Sequence, residues 1–281
     1  MPASSEVPNL GWTAVLPPVA TKSNPQPRPV HTCRTPKPRC IRAQMRRLRN
    51  TRNRLGCDHR AVFATTYLRL TKQLFADVKS GLVERDYIDP EYLYTEDALF
   101  ATVYLRTVRA YKQDREVADA WRIAFETAER DDTGAVQDML LGINAHVQND
   151  MPFVLANLGL RKPNGTSRKP DHDEANGTLN RAYEDVVREV KERYDPAIAL
   201  SNSPLVPLDD LAGLELVRGW RENVWRNAEK LLNAETKRER RQVAKGIERD
   251  AAATAESIAA GGVPGYGATR DEYCATGPHR G

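Results

Sequence analysis

Apolar residues recur at spacings of three and four along most of the chain, and this pattern limits its fold more than any other feature. Clusters of Gly, Pro, Asn and Asp separate the stretches that carry it. These stretches lie at 58–80, 92–113, 115–130, 135–158, 172–193, 211–233 and 235–260. No alternating strand pattern of useful length interrupts them. The sequence therefore predicts an all-α fold, a single helical-bundle domain of about seven helices over residues 56–260.

A basic, proline-rich segment precedes this domain. Residues 1–40 hold nine of the eighteen prolines, and six arginines follow between residues 41 and 54. The chain through Cys57 has a formal charge of +10, whereas the remaining 224 residues have a charge of −6. Such a segment buries too little apolar surface to offset the entropy lost on ordering. We therefore expect residues 1–55 to form a disordered basic arm, and the Gly-rich residues 261–281 to form a flexible tail.

Residues 41–54 could form a helix whose arginines make one face cationic. These arginines have two possible roles. They could keep the arm solvated, or they could tether the protein to nucleic acid or another anionic surface. No aromatic residue lies among them, which argues against stacking on a single strand. Because the rest of the chain is acidic, a nucleic-acid partner is expected through the arm alone.

Cysteine usage and hydropathy predict the compartment. The four cysteines are Cys33, Cys40, Cys57 and Cys274. Their spacing matches neither a zinc knuckle nor a disulfide framework, so we expect free thiols in a reducing compartment. No stretch approaches the roughly 18–20 apolar residues of a membrane-spanning helix. A cytoplasmic protein without a membrane span is predicted, with an organelle-targeting peptide as the alternative for the Arg-rich opening.

The densest polar cluster lies in the fourth predicted helix, around His146 and Asp150. These two residues are four apart and share a helix face with Leu140 and Ile143, so an imidazole and a carboxylate point toward an apolar interior. Burying them unpaired would be costly. Either they satisfy each other by a hydrogen bond or they bind a metal or another ligand. Pro152 predicts a kink or break in the same helix.

Further candidates lie on neighbouring helices. Asp173, Asn176 and Asn180 form one stripe of the fifth predicted helix, and Arg221 and Trp225 lie one turn apart on the sixth. Arg221 could stack on Trp225 or reach a carboxylate such as Asp150. The candidates for substrate binding are Asn144, Asn149, Asn176, Asn180 and Trp225. No nucleophile elbow, phosphate-binding glycine loop or zinc-ribbon pattern is present.

Several runs carry a family resemblance. Residues 58–63, 99–101, 141–146, 149–152 and 225–228 resemble a family of uncharacterised actinobacterial proteins, the domain of unknown function numbered 5995. The resemblance spans about residues 56–233, and its most specific part is the run Asn-Ala-His-x-x-x-Asp-x-Pro that contains His146 and Asp150. It implies a helical fold and a site at that run, but no reaction.

The same run is similar to a segment of the zinc-dependent phospholipase C and P1-nuclease group, all-helical proteins in which a helix supplies a His and an Asp to a trinuclear zinc site. This similarity implies His146 and Asp150 as metal ligands. The chain lacks the further histidine that follows the proline in that group, and its body has few histidines. The similarity therefore supports at most one metal, completed by Asp173, His172, Asp58 or water.

These features lead to three functional hypotheses. In the first, His146, Asp150 and Asp173 bind one divalent metal (zinc, manganese or iron) that activates water to hydrolyse an ester or phosphoester, and Arg221 stabilises the developing negative charge. In the second, His146 is a metal-free general base oriented by Asp150, in an isomerase or cyclase acting on a small metabolite of a biosynthetic pathway. In the third, the domain is a non-catalytic binding module whose arm contacts nucleic acid. The oligomeric state is left open.

Overall fold

Amphipathic helices form most of the protein, as the apolar spacing predicts. The computed structural model describes residues 33–196 and 210–277. The helices are α1 (Arg39–Leu55), α2 (Ala61–Lys79), α3 (Leu82–Asp86), α4 (Pro90–Tyr111), α5 (Asp119–Arg130), α6 (Ala135–Ile143), a π-helix (Asn144–Asp150), α7 (Met151–Leu158), α8 (Lys169–Tyr194), α9 (Asp210–Asn233), α10 (Lys237–Ala259) and α11 (Tyr266–Thr276). Within the described ranges there is no sheet, so the all-α prediction is confirmed, although the helices outnumber the predicted seven.

Local sequence sets where these helices begin. Asp89 caps α4, because its side chain accepts a hydrogen bond from the backbone N–H of Tyr92, and Pro90 occupies the first turn, where no N–H is needed. A capping box begins α10, in which Thr236 and Glu239 satisfy each other's backbone N–H groups. These signals lie close to the predicted starts of the corresponding helices.

Helix α2 lies at the centre of the main core. Residues 61–68 are all buried, so the first two turns of α2 are enclosed on every side. The helix packs against α1, α6 and α8, and Trp121 of α5 closes the cluster. A second core lies around Trp225, where α7, α9 and α10 meet. In the part of the chain that is described, no helix is both long enough and apolar enough to cross a bilayer.

Residues 39–55, which the sequence assigned to the disordered arm, form α1 instead. Ile41, Leu48 and Leu55 are buried along one face, and α1 packs against α2 and α4. Arg52 forms an ion pair with Glu189 of α8 at 2.9 Å. The arginines concealed a narrow apolar stripe on this helix. The expectation of disorder is therefore wrong for residues 39–55, and the expectation of a helix with a cationic face is confirmed. The rest of the predicted arm, residues 1–32, lies outside the described residues.

All four cysteines are paired, which corrects the prediction of free thiols. Cys33 bonds to Cys40, and Cys57 bonds to Cys274 across 217 positions of sequence. Spacing along the chain could not reveal the second pair, because its members meet only after α11 has folded back to the start of α2. Disulfides persist in oxidising compartments, so the argument from reduced thiols for a cytoplasmic location no longer holds.

The end of the chain is also more ordered than predicted, since α11 occupies part of the expected flexible tail. Arg270 of α11 is buried and donates hydrogen bonds to the Asp138 carboxylate at 2.7 Å and to the Thr133 carbonyl at 2.6 Å. A buried guanidinium with charged and neutral acceptors is a strong tether. Together with Cys274, it holds residues 266–276 against the body.

We expect the Cys57–Cys274 bond to stabilise the fold more than the Cys33–Cys40 bond, because it closes a far longer loop. The double variant Cys57→Ser, Cys274→Ser should lower the free energy of unfolding by about 4 kcal/mol, and Cys33→Ser, Cys40→Ser should lower it by less. Urea denaturation under non-reducing conditions measures both. Titratable thiols in the unreduced, unfolded wild-type protein would contradict this pairing.

Candidate functional site

A π-helix carries the predicted His-Asp pair. It spans Asn144–Asp150 and connects α6 to α7. Pro152 explains its position, because proline has no N–H with which to bond the carbonyl four residues earlier in an α-helix. The wider hydrogen-bonded turn of a π-helix absorbs this defect, and such turns are frequent at functional sites. The irregularity that Pro152 predicts is therefore found, and it extends over the polar run itself.

Within the π-helix, His146 and Asp150 form a buried hydrogen-bonded pair. The imidazole Nδ1 lies 3.2 Å from Asp150 Oδ2, and the two residues are 2% and 7% exposed. Asp150 Oδ2 also accepts a hydrogen bond from Trp121 Nε1 at 2.9 Å, and Asp150 Oδ1 accepts one from Asn149 Nδ2 at 2.8 Å. The carboxylate is thus held by three donors, and it fixes the orientation of the imidazole.

Five aromatic rings enclose the His146 imidazole. Phe100 stacks on it with ring centroids 3.4 Å apart and planes within 5° of parallel. The other four rings lie between 4.8 and 6.0 Å from it. This aromatic shell consists of Phe63 and Tyr67 of α2, Phe100 and Tyr104 of α4, and Trp121 of α5. Gly142 makes room for it, since a Cβ at that position would lie 2.3 Å from the Phe63 ring.

Burial sets the charge of this imidazole. It lowers the pKa of His146, and the hydrogen bond and the charge of Asp150 oppose that effect without reversing it. The imidazole is therefore neutral at neutral pH. With Nδ1–H donating to Asp150, the lone pair of the ring lies on Nε2.

Several polar atoms around this pair have no hydrogen-bond partner. They include His146 Nε2, Tyr67 Oη, Asn149 Oδ1 and Asp97 Oδ2, all of which are buried. A buried polar atom without a partner costs about 1–3 kcal/mol, so four such atoms in one region require an explanation. A bound polar ligand or water would provide one.

Two acidic side chains of α4 belong to the same region, although no role was expected for them. Burial raises the pKa of Asp97 to about 7, and the charge of Glu96 adds to the effect. Burial likewise raises the pKa of Glu96 to about 7, against the opposing charge of Arg221. The pKa of Tyr67 is raised well above its ordinary value, first by burial and then by Asp97, Glu96 and Asp150. These carboxyl groups therefore lie within electrostatic reach of the Tyr67 phenol.

The signal for these acids was present in the sequence. Glu96 and Asp97 interrupt an otherwise apolar and aromatic stretch, and Glu96 lies one turn before Phe100. An acidic pair inside an apolar helix predicts either solvent exposure or a functional role. Helical spacing alone could not decide between these alternatives.

Arg221 lies in a second buried cluster, next to Met151. Its Nε donates to Asn176 Oδ1 at 2.9 Å, and its Nη2 donates to the backbone carbonyl of His172. The contact with Asp150 considered from the sequence is not formed, since Arg221 uses these donors to connect α9 to α8. Glu96 lies within electrostatic reach of this guanidinium and of Tyr67, so it lies between the two clusters.

The remaining candidates take mostly structural positions. Asn144 Nδ2 donates to the Ala251 carbonyl of α10 at 2.8 Å. Trp225 is buried in the second core and donates to Glu229 at 3.1 Å. Asn180 is partly buried, and its Oδ1 has no hydrogen-bond partner.

Asp173 does not join His146 and Asp150. Its side chain is 46% exposed, and it forms an ion pair with Lys169 at 2.5 Å. Among the described residues, no third acidic, His or Cys side chain completes a metal-binding group with that pair. The proposed ligand set of His146, Asp150 and Asp173 therefore does not assemble in this structure.

One group that could hold a metal ion lies elsewhere, where α11 meets the start of α2. His59, Asp131 and Asp271 each offer a ligand atom there. The His59 Nε2 lies 3.5 Å from Asp271 and has no hydrogen-bond partner. However, Arg270 Nη1 lies 3.2 Å from His59 Nδ1, and its fixed positive charge opposes the binding of a divalent cation.

Comparison with known proteins adds a family but no activity. The model of a family described as "Family of unknown function (DUF5995)" matches residues 41–261. This match includes most of α1, which agrees with the packing of that helix against α2 and α4. No curated protein matches, and no solved structure matches. The chemistry must therefore be inferred from the chain's own residues.

The raised pKa of Asp97 predicts a pH dependence of stability. The folded protein binds this proton more tightly than the unfolded chain does, so the stabilisation is complete below the ordinary Asp pKa and is lost as the pH rises through about 7. The variant Asp97→Asn has no carboxyl group to ionise at this position, so it does not lose stability in this way as the pH rises. We expect its free energy of unfolding to rise relative to wild type between about pH 4 and 8, as measured by urea denaturation. The exposed Glu91→Gln on the same helix is the control, and parallel curves for Asp97→Asn and wild type would contradict the assignment.

Proposed function

We propose a function for this chain, which belongs to the DUF5995 family of unknown function, from the chemistry of its own residues. The proposal is an enzyme that transfers protons on a small metabolite, with His146 as its base. The observation that carries it is the unpaired Nε2 of a buried, neutral imidazole whose other nitrogen is held by a carboxylate. A general base needs this combination of a free lone pair and a fixed ring.

Asp150 is the positioning residue. It accepts hydrogen bonds from Trp121 and Asn149 as well as from His146, so it cannot turn away from the ring without losing donors. Its negative charge stabilises the imidazolium that forms when Nε2 takes a proton. The same charge is too weak to protonate the resting imidazole against the effect of burial.

Glu96 and Asp97 supply the complementary acid. A carboxyl group with a pKa of about 7 is partly protonated at neutral pH and can donate a proton. A neutral base and a partly protonated acid allow one proton to leave a substrate atom and another to be delivered elsewhere on the same molecule. The net reaction is an isomerisation or cyclisation, which needs no oxidant or reductant.

The aromatic shell selects the kind of substrate. Five rings surround the His146 imidazole, so a compact carbon skeleton with few polar groups fits better than a charged or sugar-like one. His146 is 2% exposed, so a substrate reaches Nε2 only when side chains of the shell move. Once they close again, water is excluded and a reactive carbanion is protected. The charge of Arg221 favours the ionised form of Glu96 and partly offsets its negative charge.

Proton transfer can be detected without knowing the product. The full-length protein is incubated with a metabolite mixture in deuterium oxide, and deuterium incorporation is followed by mass spectrometry. We expect the wild type to label at least one compound at a carbon position, and His146→Gln to reduce the rate by about a hundredfold or more, the usual contribution of a general base. Glutamine can still donate a hydrogen bond to Asp150, so the fold should survive, and a melting curve verifies this.

His59→Gln is the matched control, because it removes an equally buried imidazole whose Nδ1 lies beside Arg270 and not beside Asp150. It should leave the exchange rate unchanged. Equal exchange by wild type and His146→Gln, or no exchange by either, would overturn the proposal.

A metal-dependent hydrolase of an ester or phosphoester is the second candidate, and the group of His59, Asp131 and Asp271 is the observation that favours it. In that case a metal would supply an activated water, and these three side chains would hold it. A chelator and His59→Gln would then both abolish activity, whereas His146→Gln would not. The acid–base proposal expects the opposite pattern, so the same variants distinguish the two.

A further inference from the structure

A basic groove lies between α1 and the C-terminal half of α4. It encloses about 470 Å³ and shares no lining residue with the region around His146. It is lined by Arg47, Asn50, Thr51, Arg54, Leu105, Val108, Arg109, Lys112 and Gln113. Thr51, Leu105 and Val108 are buried or partly buried and form its floor, whereas the charged side chains form its rim.

Four positive charges and no negative charge line this groove: Arg47, Arg54, Arg109 and Lys112. None of them forms an ion pair with an acid of the described residues, although the domain contains many acids. Other arginines on the same helices do find partners, as Arg52 does with Glu189. The basic cluster therefore forms no ion pair within the described chain, although the charge of Lys112 does act on Asp58.

Arg47 shows that the cluster is built into the fold. Its Nη1 donates to Gln44 Oε1 at 2.7 Å and to Thr102 Oγ1 at 3.1 Å, so two neutral side chains fix the guanidinium between α1 and α4. Burial lowers the pKa of Arg47, and the nearby charges of Arg109 and Arg106 lower it further. Holding like charges together costs free energy, which an anionic ligand would recover.

We infer that this groove binds a phosphorylated small molecule with an apolar portion. Arginine and lysine are the usual partners of phosphate oxygens, and the apolar floor offers a surface for the rest of the ligand. The enclosed volume lies in the range of small-molecule sites. No aromatic ring lines the groove, so the stacking that holds single-stranded nucleic acid is absent from it.

Calorimetric titration of the full-length protein tests this inference with three probes: inorganic phosphate, hexyl phosphate and a single-stranded DNA oligonucleotide. We expect hexyl phosphate to bind more tightly than inorganic phosphate, because only hexyl phosphate contacts the apolar floor. The variants Arg109→Gln and Lys112→Gln alter exposed side chains, so they should fold normally. Each should weaken hexyl phosphate binding by about tenfold, the loss expected for one charged hydrogen bond.

The exposed Lys245→Gln on α10 is the matched control and should bind hexyl phosphate as the wild type does. Equal affinity of all variants and wild type would overturn the inference. So would binding of the oligonucleotide in preference to hexyl phosphate, since that result would assign the groove to a nucleic-acid backbone. These outcomes do not depend on proton-transfer activity at His146.

Discussion

The hydrogen bond between His146 and Asp150 is the interaction on which the centre of the structure depends. An imidazole and a carboxylate both lie where α2, α4, α5 and the π-helix meet, and burying either alone would cost several kcal/mol. The residues around the pair reduce that cost or make room for the packing that does so. Trp121 donates to Asp150, Phe100 stacks on His146, and Gly142 leaves space for the ring of Phe63. The polar pair thus lies in contact with side chains of four helical segments, and its one unpaired nitrogen is the atom to which we assign the proposed base chemistry.

Helical periodicity explains why part of this could be predicted from the sequence. Two residues four positions apart share a face in either helix type, so the proximity of His146 and Asp150 followed from their spacing, which left open whether they bond each other or a ligand. Pro152 marked the irregular backbone for the same kind of local reason. The all-α fold followed from the recurrence of apolar residues over many turns, where the signal is strongest.

Features that depend on the meeting of distant segments could not be predicted in this way. Periodicity tells which face of a helix is buried but not which helix covers it, so the sequence left Arg221 either to stack on Trp225 or to reach Asp150. Its guanidinium in fact donates to Asn176. The disulfide between Cys57 and Cys274 joins the connection between α1 and α2 to α11, and no local sequence pattern predicts it. In α1 the arginines masked a narrow apolar stripe, and two of them, Arg47 and Arg54, line a groove that no carboxylate lines. Glu96 and Asp97 stand out only once their burial is known, because burial is the main cause that raises their pKa values to about 7.

The central claim is that His146 is neutral, with its proton on Nδ1 and its lone pair on Nε2. Long-range nitrogen–proton NMR spectra of histidine-labelled protein measure this tautomer directly. At neutral pH we expect a protonated Nδ1 and a pyridine-type Nε2, and this state should persist as the pH falls below the ordinary histidine pKa of about 6.5. A proton on Nε2, or an imidazolium at neutral pH, would contradict the account, because the ring would then have no base to offer.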